Sequence, residues 1–257
     1  MPRKLGQHFL HSDSILNRIA DAVCPRREAL VIEIGPGRGA LTAKLLERAD
    51  RVIAIEVDAE LVEYLRATFP ALEVIHADIL SVDLSRWGRV PIAGNLPYYI
   101  TSPILEKSMR ASPSRAVFLM QKEVAERLTA TPGTRDYGFL TVQTAIFATA
   151  RTLFDVKPGA FRPPPKVDSS VVLLEPHAES VVSNPAEFLA FASRAFRQKR
   201  KTLRNNLVAD YPAVESQPES SLRAEQLSVS QLRSLFTRVL SPPSPDAFPD
   251  NAPATSE

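Results

Sequence analysis

The four residues Asn95-Leu96-Pro97-Tyr98 have the types and spacing that most specifically predict a chemistry. The amino group of a nucleobase is a poor nucleophile because its lone pair is delocalised into the ring. Two acceptors, the Asn95 side-chain oxygen and the Leu96 carbonyl, could hold both N–H groups and shift that nitrogen towards sp³ geometry. Pro97 fixes the backbone and has no N–H to compete, and Tyr98 offers a face on which an extruded base can stack. The alternative interpretation is a strand end followed by a proline turn.

A glycine-rich segment, Glu33-Ile34-Gly35-Pro36-Gly37-Arg38-Gly39, lies between an apolar run and a helical pattern. Glycines there let the backbone approach a ligand closely. Glu56 ends the next apolar run, where a carboxylate can accept ribose hydroxyls. The spacing is Gly-x-Gly-x-Gly and not the Gly-x-Gly-x-x-Gly dinucleotide fingerprint. The pair therefore fits several nucleotide cofactors, or simple packing.

Asp78 and Asn95 follow the third and fourth apolar runs. Ligands in open α/β sheets bind beyond the carboxyl ends of the strands, so Gly35, Glu56, Asp78 and Asn95 are expected to converge. Asp78 could accept the amino group of an adenine ring, although alone it would indicate only a turn. A cofactor with ribose, adenine and a reactive group fits the set, and S-adenosylmethionine has all three.

The elements that position these residues are apolar runs alternating with amphipathic patterns. Such alternation predicts a parallel sheet covered by helices on both faces. The predicted strands lie at 29–35, 51–57, 72–77, 90–93, 116–120 and 170–174, and the predicted helices at 15–23, 40–48, 59–68, 102–109, 122–129 and 139–148.

The pattern changes near Pro176, after which the sequence predicts helices only, at 185–209 and 228–239. We predict a first, α/β domain over 1–177 and a small helical domain over 178–240. Residues 241–257 contain five prolines and almost no large apolar side chain, which predicts a disordered tail.

Composition sets wide limits on the function. The chain has 257 residues, of which 44% are hydrophobic and 23% charged, as in typical soluble proteins. The single Cys24 excludes an intramolecular disulfide and is consistent with a reducing cytoplasm, which we predict as the location. No apolar run approaches the length of about 18 residues that a membrane span requires. The four histidines and one cysteine do not cluster, so no metal site is predicted.

A basic cluster lies between Phe188 and Ala209, a stretch without an acidic residue. The net charge of +2 does not by itself indicate a nucleic-acid partner, so clustering is the relevant evidence. A run of charge is usually a solvated helix face, but uncompensated repulsion favours an anionic partner such as RNA. The cluster consists of Arg194, Arg197, Lys199, Arg200, Lys201 and Arg204.

Taken in order, these motifs resemble the ribosomal RNA adenine dimethyltransferase family over roughly residues 3–240. The matching segments are Gly6-Gln7-His8-Phe9-Leu10, Glu33-Ile34-Gly35-Pro36-Gly37, Ile55-Glu56-Val57-Asp58, Ala77-Asp78, Gly94 to Tyr98, Met120 to Val124, Phe161 to Ser169 and Arg197 to Asn205. Each motif is modest alone, whereas eight in the same order are highly specific.

The resemblance implies an α/β, Rossmann-like class I methyltransferase fold. This fold has a mostly parallel seven-stranded sheet with one antiparallel strand, and a small all-α C-terminal domain. The implied activity is S-adenosylmethionine-dependent dimethylation of N6 on two adjacent adenosines near the 3′ end of small-subunit rRNA, during ribosome biogenesis. We expect a monomer that acts on an immature subunit. The resemblance also implies that Phe161 holds the target base opposite Tyr98. Cofactor contacts are implied at His8, Leu10, Gly35, Gly37, Glu56, Asp78 and Asn95.

The chain departs from the family at His8, where the family usually has asparagine. The histidine could still hydrogen-bond the cofactor, or it could be a tolerated change on a mobile N-terminal segment. Three other functions remain as alternatives. They are a resistance-type dimethyltransferase of large-subunit rRNA, a non-catalytic ribosome-assembly or transcription factor on the same fold, and an NAD-dependent enzyme. The triple proline before Lys166 and the leucine at position 96 favour the small-subunit type.

Overall fold

The structure, a computed structural model, describes residues 8–97 and 100–240. Two predictions concern residues outside these ranges, namely the stacking role of Tyr98 and the disorder of 241–257. Internal contacts divide the chain into two units, Met1–Ser183 and Asn184–Glu257. The division lies a few residues after the boundary that the sequence predicts.

The first unit alternates strands and helices. Its elements are β1 (Phe9–Leu10), α1 (Asp13–Val23), β2 (Val31–Ile34), α2 (Ala40–Leu46), β3 (Val52–Glu56), α3 (Ala59–Thr68), β4 (Glu73–His76), β5 (Ile92–Asn95), α4 (Thr101–Arg110), β6 (Ala116–Gln121), α5 (Lys122–Thr129), α6 (Phe139–Ala145), β7 (Ala148–Val156), β8 (Phe161–Arg162) and β9 (Ser169–Pro176).

Seven of these strands form one sheet in the order β4-β3-β2-β5-β6-β9-β7. Strands β2 to β6 are mutually parallel, and β9 is antiparallel to both of its neighbours, β6 and β7. The predicted fold class, with one antiparallel strand in a mostly parallel sheet, is confirmed. Strands β1 and β8 form a separate antiparallel pair in which Leu10 lies opposite Phe161.

Successive residues of a strand point to opposite sides of the sheet. Both faces of this sheet are apolar, because the residues that point to each side are mostly apolar. In β2, Val31 belongs to the hydrophobic cluster shared with α1 and α2, whereas Ile32 and Ile34 belong to the cluster shared with α4 and α5. The strands buried on both faces are the ones that the sequence predicts as apolar runs. Among the polar residues buried in the sheet is Glu33, which points to the same face as Val31 and is 1% exposed.

The end of α6 differs from the prediction. The helix predicted over 139–148 ends at Ala145, and the chain continues as the edge strand β7. This strand pairs with β9 alone and contains a register shift between Thr152 and Phe154. Most of its side chains are only partly buried or exposed, so it contains no continuous apolar run to mark it as a strand.

The second unit is helical over its described residues. It contains α7 (Pro185–Ala195), α8 (Leu203–Leu207) and α9 (Val229–Leu240), with three short 3₁₀ segments between the last two helices. Phe191 lies at the centre of its aromatic core, with ring centroids 5.3 Å from Phe236 and 5.2 Å from Tyr211. The predicted helical region 185–209 is two helices joined by a turn over residues 196–202. The turn carries four members of the basic cluster, Arg197, Lys199, Arg200 and Lys201, whereas Arg194 lies in α7 and Arg204 in α8.

Residues 8–97 and 100–240 contain no helix that is both long and apolar enough to cross a membrane. In the same ranges, no three histidine, cysteine or acidic side chains are grouped so that they could hold a metal ion.

Candidate active site

A cavity of about 970 Å³ opens where strands β2, β3 and β5 end. The carboxyl edge of a parallel sheet is the usual ligand site of α/β proteins. The cavity brings together all seven predicted cofactor-binding residues and three members of the Asn-Leu-Pro-Tyr motif. Asn95 belongs to both sets, so nine residues are involved: His8, Leu10, Gly35, Gly37, Glu56, Asp78, Asn95, Leu96 and Pro97.

The glycine segment after β2 forms a tight loop in the left-handed backbone region. Gly37 has φ +58°, a value that side chains with a Cβ rarely adopt. A Cβ on Gly37 would lie 3.0 Å from Cε1 of Phe9, so the loop also packs closely against β1. The loop therefore requires glycine both for its backbone conformation and for its contact with Phe9.

Glu56 is 4% exposed and is held by three backbone N–H groups. Its Oε1 accepts from Val57 at 2.9 Å and from Asp58 at 3.0 Å, and its Oε2 accepts from Gly37 at 3.2 Å. Burial raises the pKa of Glu56, and these backbone donors oppose that rise. A carboxylate has about four acceptor sites, so Oε2 retains capacity for one hydroxyl donor from a ligand.

Glu33 is a buried acid at this cavity that was not among the predicted site residues. Thr42 Oγ1, on α2, donates to Glu33 Oε2 at 2.6 Å. Burial raises the pKa of Glu33 to about 7; the Thr42 hydrogen bond opposes that rise and the charge of Glu56 adds to it. One sequence signal could have identified Glu33: it is an ionisable residue inside an otherwise apolar strand. Such residues are almost never fully buried unless they are paired.

Asp78 lies two residues after β4 and lines the cavity. Its Oδ1 accepts from the backbone N–H of Leu80 at 2.9 Å, which caps a short 3₁₀ segment. That bond fixes the carboxylate and leaves Oδ2 as a second acceptor. Asp78 therefore has both a structural role as a cap and the geometry of a ligand acceptor.

The cavity lining is strongly acidic among the residues that the structure describes. One guanidinium, that of Arg38, accompanies the carboxyl side chains of Glu33, Glu56, Asp58, Glu60 and Asp78. Low-dielectric walls concentrate the field of such a set. The site therefore favours a cationic ligand with hydroxyl and amino donors, and it disfavours the anionic pyrophosphate of NAD.

Asn95 ends β5 with a defined side-chain orientation. Its Nδ2 donates to the backbone carbonyl of His8 at 3.1 Å. Because a carbonyl only accepts, this bond assigns the amide nitrogen to the His8 side and leaves Oδ1 as the acceptor on the other side. The backbone beyond it is held too, since the Pro97 carbonyl accepts from Thr101 Oγ1 at 3.0 Å.

Phe161 does not line this cavity. It is 2% exposed and packs in the same hydrophobic cluster as Leu10 and Val156. Its ring is therefore not presented to a base at the cavity, as the predicted stacking role would require. Tyr98, the other predicted stacking residue, lies outside the described residues.

The basic cluster of the second unit is partly neutralised, which corrects the expectation of uncompensated charge. Arg194 pairs with Asp210 at 3.0 Å, Lys199 lies 3.8 Å from Glu225, and Arg204 pairs with Glu215. These acids lie after Ala209, outside the acid-free stretch that contains the cluster. The remaining members of the cluster are Arg197, Arg200 and Lys201. All three are exposed, and no described acid lies within ion-pair distance of them.

Comparisons with known proteins converge on one family. The model of the family described as "Ribosomal RNA adenine dimethylase" matches residues 1–238. "Ribosomal RNA small subunit methyltransferase A" from Prosthecochloris aestuarii is 40% identical over 243 residues, which cover 92% of this chain and 93% of that protein.

Two solved structures extend this similarity to the fold. A dimethyladenosine transferase from Plasmodium falciparum superposes with a TM-score of 0.75 at 28% identity, covering 89% of this chain and 96% of that one. The 23S rRNA methyltransferase ErmE superposes with a TM-score of 0.68 at 28% identity, covering 90% of this chain and all of that one.

Proposed function

The chain belongs to the ribosomal RNA adenine dimethylase family, and from this premise we propose how its cavity and its basic turn carry out the reaction. The enzyme is an S-adenosylmethionine-dependent (adenine-N6,N6)-dimethyltransferase, and its substrate is small-subunit rRNA. We further propose that the target is two adjacent adenosines near the 3′ end of that rRNA within an immature subunit, and that the enzyme works as a cytoplasmic monomer.

The acidic cavity supports the assignment of the cofactor site. S-adenosylmethionine carries a sulfonium and an ammonium, both cationic, and when bound it supplies an electron-poor methyl carbon for in-line displacement. Glu56 would accept a ribose hydroxyl through Oε2, and Asp78 would accept the adenine amino group through Oδ2. The left-handed loop at Gly35 and Gly37 would let backbone N–H groups approach the ligand.

Asn95 is proposed to orient the target amine. Its Nδ2 is already used by the His8 carbonyl at 3.1 Å, so Oδ1 is the atom that would accept one N6–H. The Leu96 carbonyl would accept the other N6–H, and Pro97 offers no competing donor. Holding both hydrogens draws the nitrogen lone pair out of the ring and towards the reacting carbon. Such transfer depends on alignment more than on acid–base help.

Dimethylation sets a further requirement on the same acceptors. After the first transfer the amine retains one N–H, so a single hydrogen bond to Asn95 or Leu96 must suffice for the second alignment. The proton lost in each round would pass to water from the side that Asn95 Oδ1 faces. Tyr98 is proposed to stack on the target base, whereas the buried Phe161 has no part in this proposal.

The second unit is proposed to bind the rRNA backbone. Three exposed cations, Arg197, Arg200 and Lys201, support this role because no described acid pairs with them. The paired members of the cluster, Arg194, Lys199 and Arg204, would contribute less. Each phosphate contact should release counterions and steepen the salt dependence of binding.

The experiment that tests this function compares two possible substrates. Small and large ribosomal subunits lacking these methyl groups are incubated separately with methyl-labelled S-adenosylmethionine. We expect label in small-subunit rRNA alone. Label in large-subunit rRNA would favour the resistance-type activity, and cofactor binding without any transfer would favour a non-catalytic assembly factor.

A further inference from the structure

His8 connects two parts of the active-site region that are far apart in sequence. Its backbone carbonyl accepts from Asn95 Nδ2 at 3.1 Å, and its imidazole Nδ1 lies 2.8 Å from the backbone carbonyl of Pro163. Residue 8 therefore contacts the proposed catalytic asparagine and the proline-rich segment after β8.

The contact with Pro163 requires a proton on Nδ1 of His8. A backbone carbonyl can only accept, so the Nδ1 atom must carry the hydrogen in this bond. The imidazole thus anchors the very residue whose carbonyl receives the Asn95 amide. If the anchor is removed, the carbonyl of residue 8 loses one of the constraints on its position.

We propose that His8 is a positioning residue that keeps Asn95 oriented for methyl transfer, through the Nδ1–H bond to Pro163. The inference rests on the proposed role of Asn95. The chain of contacts runs from the Pro163 carbonyl to the His8 ring, along the backbone to the His8 carbonyl, and then to Nδ2 of Asn95. With Nδ2 held there, Oδ1 faces the target amine.

This role explains why histidine can stand where the family usually has asparagine. In both residues the donor nitrogen is bonded directly to Cγ, as Nδ1 in histidine and as Nδ2 in asparagine. Asparagine can therefore donate to Pro163 from nearly the same place. Glutamine places its amide nitrogen one atom further out, near the position of Nε2, so it cannot replace the bond without a shift.

The competing explanation is direct contact between the His8 ring and the cofactor, since His8 lines the cavity. The two roles predict different consequences. A cofactor contact changes the affinity for the cofactor, whereas a positioning bond changes the rate at saturating cofactor. A contact through Nε2 would also be reproduced by glutamine better than by asparagine.

The test measures the single-turnover rate on small subunits and the Kd for S-adenosylhomocysteine in His8→Ala, His8→Asn and His8→Gln. Loss of one hydrogen bond predicts a rate about 2- to 10-fold lower for His8→Ala and for His8→Gln. His8→Asn should recover most of that loss, and the Kd should stay within about twofold in all three. A rate loss that follows the Kd, or recovery by glutamine and not by asparagine, would overturn the proposal.

Two further measurements separate this inference from the proposed function. In an Asn95→Ala background the effect of His8→Ala on the rate should disappear, because coupled residues are not additive; an undiminished effect would contradict positioning through Asn95. Nitrogen-15 NMR of the His8 ring should show the proton on Nδ1, and a proton on Nε2 alone would contradict it whatever the activity. A wild-type rate in Asn95→Ala itself would instead refute the proposed function.

Discussion

The backbone N–H of Gly37 donates to Oε2 of Glu56 at 3.2 Å, so the glycine loop after β2 and the carboxylate that ends β3 hold each other in place. Two motifs that lie 19 residues apart are thus one structural unit. The bond uses one acceptor site of Oε2 and leaves the other for a hydroxyl donor from a ligand.

Replacing Glu56 should weaken cofactor binding more than it weakens the fold. Glu56→Gln cannot accept from all three backbone donors and also from a ribose hydroxyl. Hydrogen bonds to charged groups contribute about 1.5–3 kcal/mol, so we expect the Kd for S-adenosylhomocysteine to rise about 10- to 100-fold. Isothermal titration calorimetry measures it, with Glu63→Gln, an exposed change on α3, as the control. An unchanged Kd in Glu56→Gln would remove this residue from the cofactor site.

Two glycines with similar backbone angles allow crowding to be separated from backbone strain. Gly39 has φ +78° and Gly133 has φ +83°. A Cβ on Gly39 would lie 2.3 Å from Cε2 of Phe69, whereas one on Gly133 meets nothing within 4 Å. Alanine at either site adds strain of about 1–2 kcal/mol, and overpacking at Gly39 adds about 1–3 kcal/mol. Urea unfolding should show Gly39→Ala to be clearly less stable than Gly133→Ala, and equal stabilities would show that Phe69 yields without cost.

Glu33 should make the folding stability depend on pH between about 4.5 and 7. Its pKa is raised from 4.5 to about 7 by burial. Below that window the residue is protonated in both the folded and the unfolded chain. Within the window the unfolded chain loses the proton first, so the free energy of unfolding falls as pH rises, and above it the loss is constant.

Glu33→Gln removes this titration while it keeps an acceptor for Thr42. The stability of the variant relative to the wild type should therefore increase from pH 4.5 to pH 7 by on the order of 3 kcal/mol. Urea unfolding across this range measures the difference. Parallel curves for the two proteins would show that Glu33 is ionised in the folded state without a penalty.

The exposed cations of the basic turn should determine the salt dependence of RNA binding. Arg200→Gln should lower the log–log slope of affinity against salt by about 0.7–0.9, the value of one phosphate contact. Arg233→Gln also removes one positive charge, but from α9 and outside the cluster, and it should leave the slope unchanged. Fluorescence anisotropy with a small-subunit rRNA fragment measures both. Equal slopes for Arg200→Gln and the wild type would make the turn an ordinary solvated surface.

The sequence was sufficient for most of the sheet and for the residues at its edge. Strands β2, β3 and β5 are buried on both faces, so each is a run of apolar residues, and the residue that follows each run must lie at the same edge. The convergence of Gly35, Glu56 and Asn95 follows from that topology. Strand β7 could not be predicted in this way because an edge strand with partly exposed side chains has no apolar run.

The contacts that link distant segments were not predictable from one sequence. The bond from Asn95 to residue 8 uses a backbone carbonyl, which every residue possesses and which leaves no sequence signal. The acids that pair with the basic cluster, such as Asp210 and Glu215, lie beyond the stretch that defined it. Burial of Phe161 likewise depends on its pairing with Leu10, which only the folded chain brings together.

The role proposed for Asn95 is to orient an adenine amine of small-subunit rRNA for methylation. Its most direct test is mass spectrometry of small-subunit rRNA after incubation with S-adenosylmethionine and either the wild-type enzyme or Asn95→Ala. We predict two adjacent dimethyladenosines with the wild type, and a rate about 10²- to 10³-fold lower at saturating S-adenosylmethionine with Asn95→Ala, although that variant remains folded. Dimethylation at the wild-type rate by Asn95→Ala would contradict the claim.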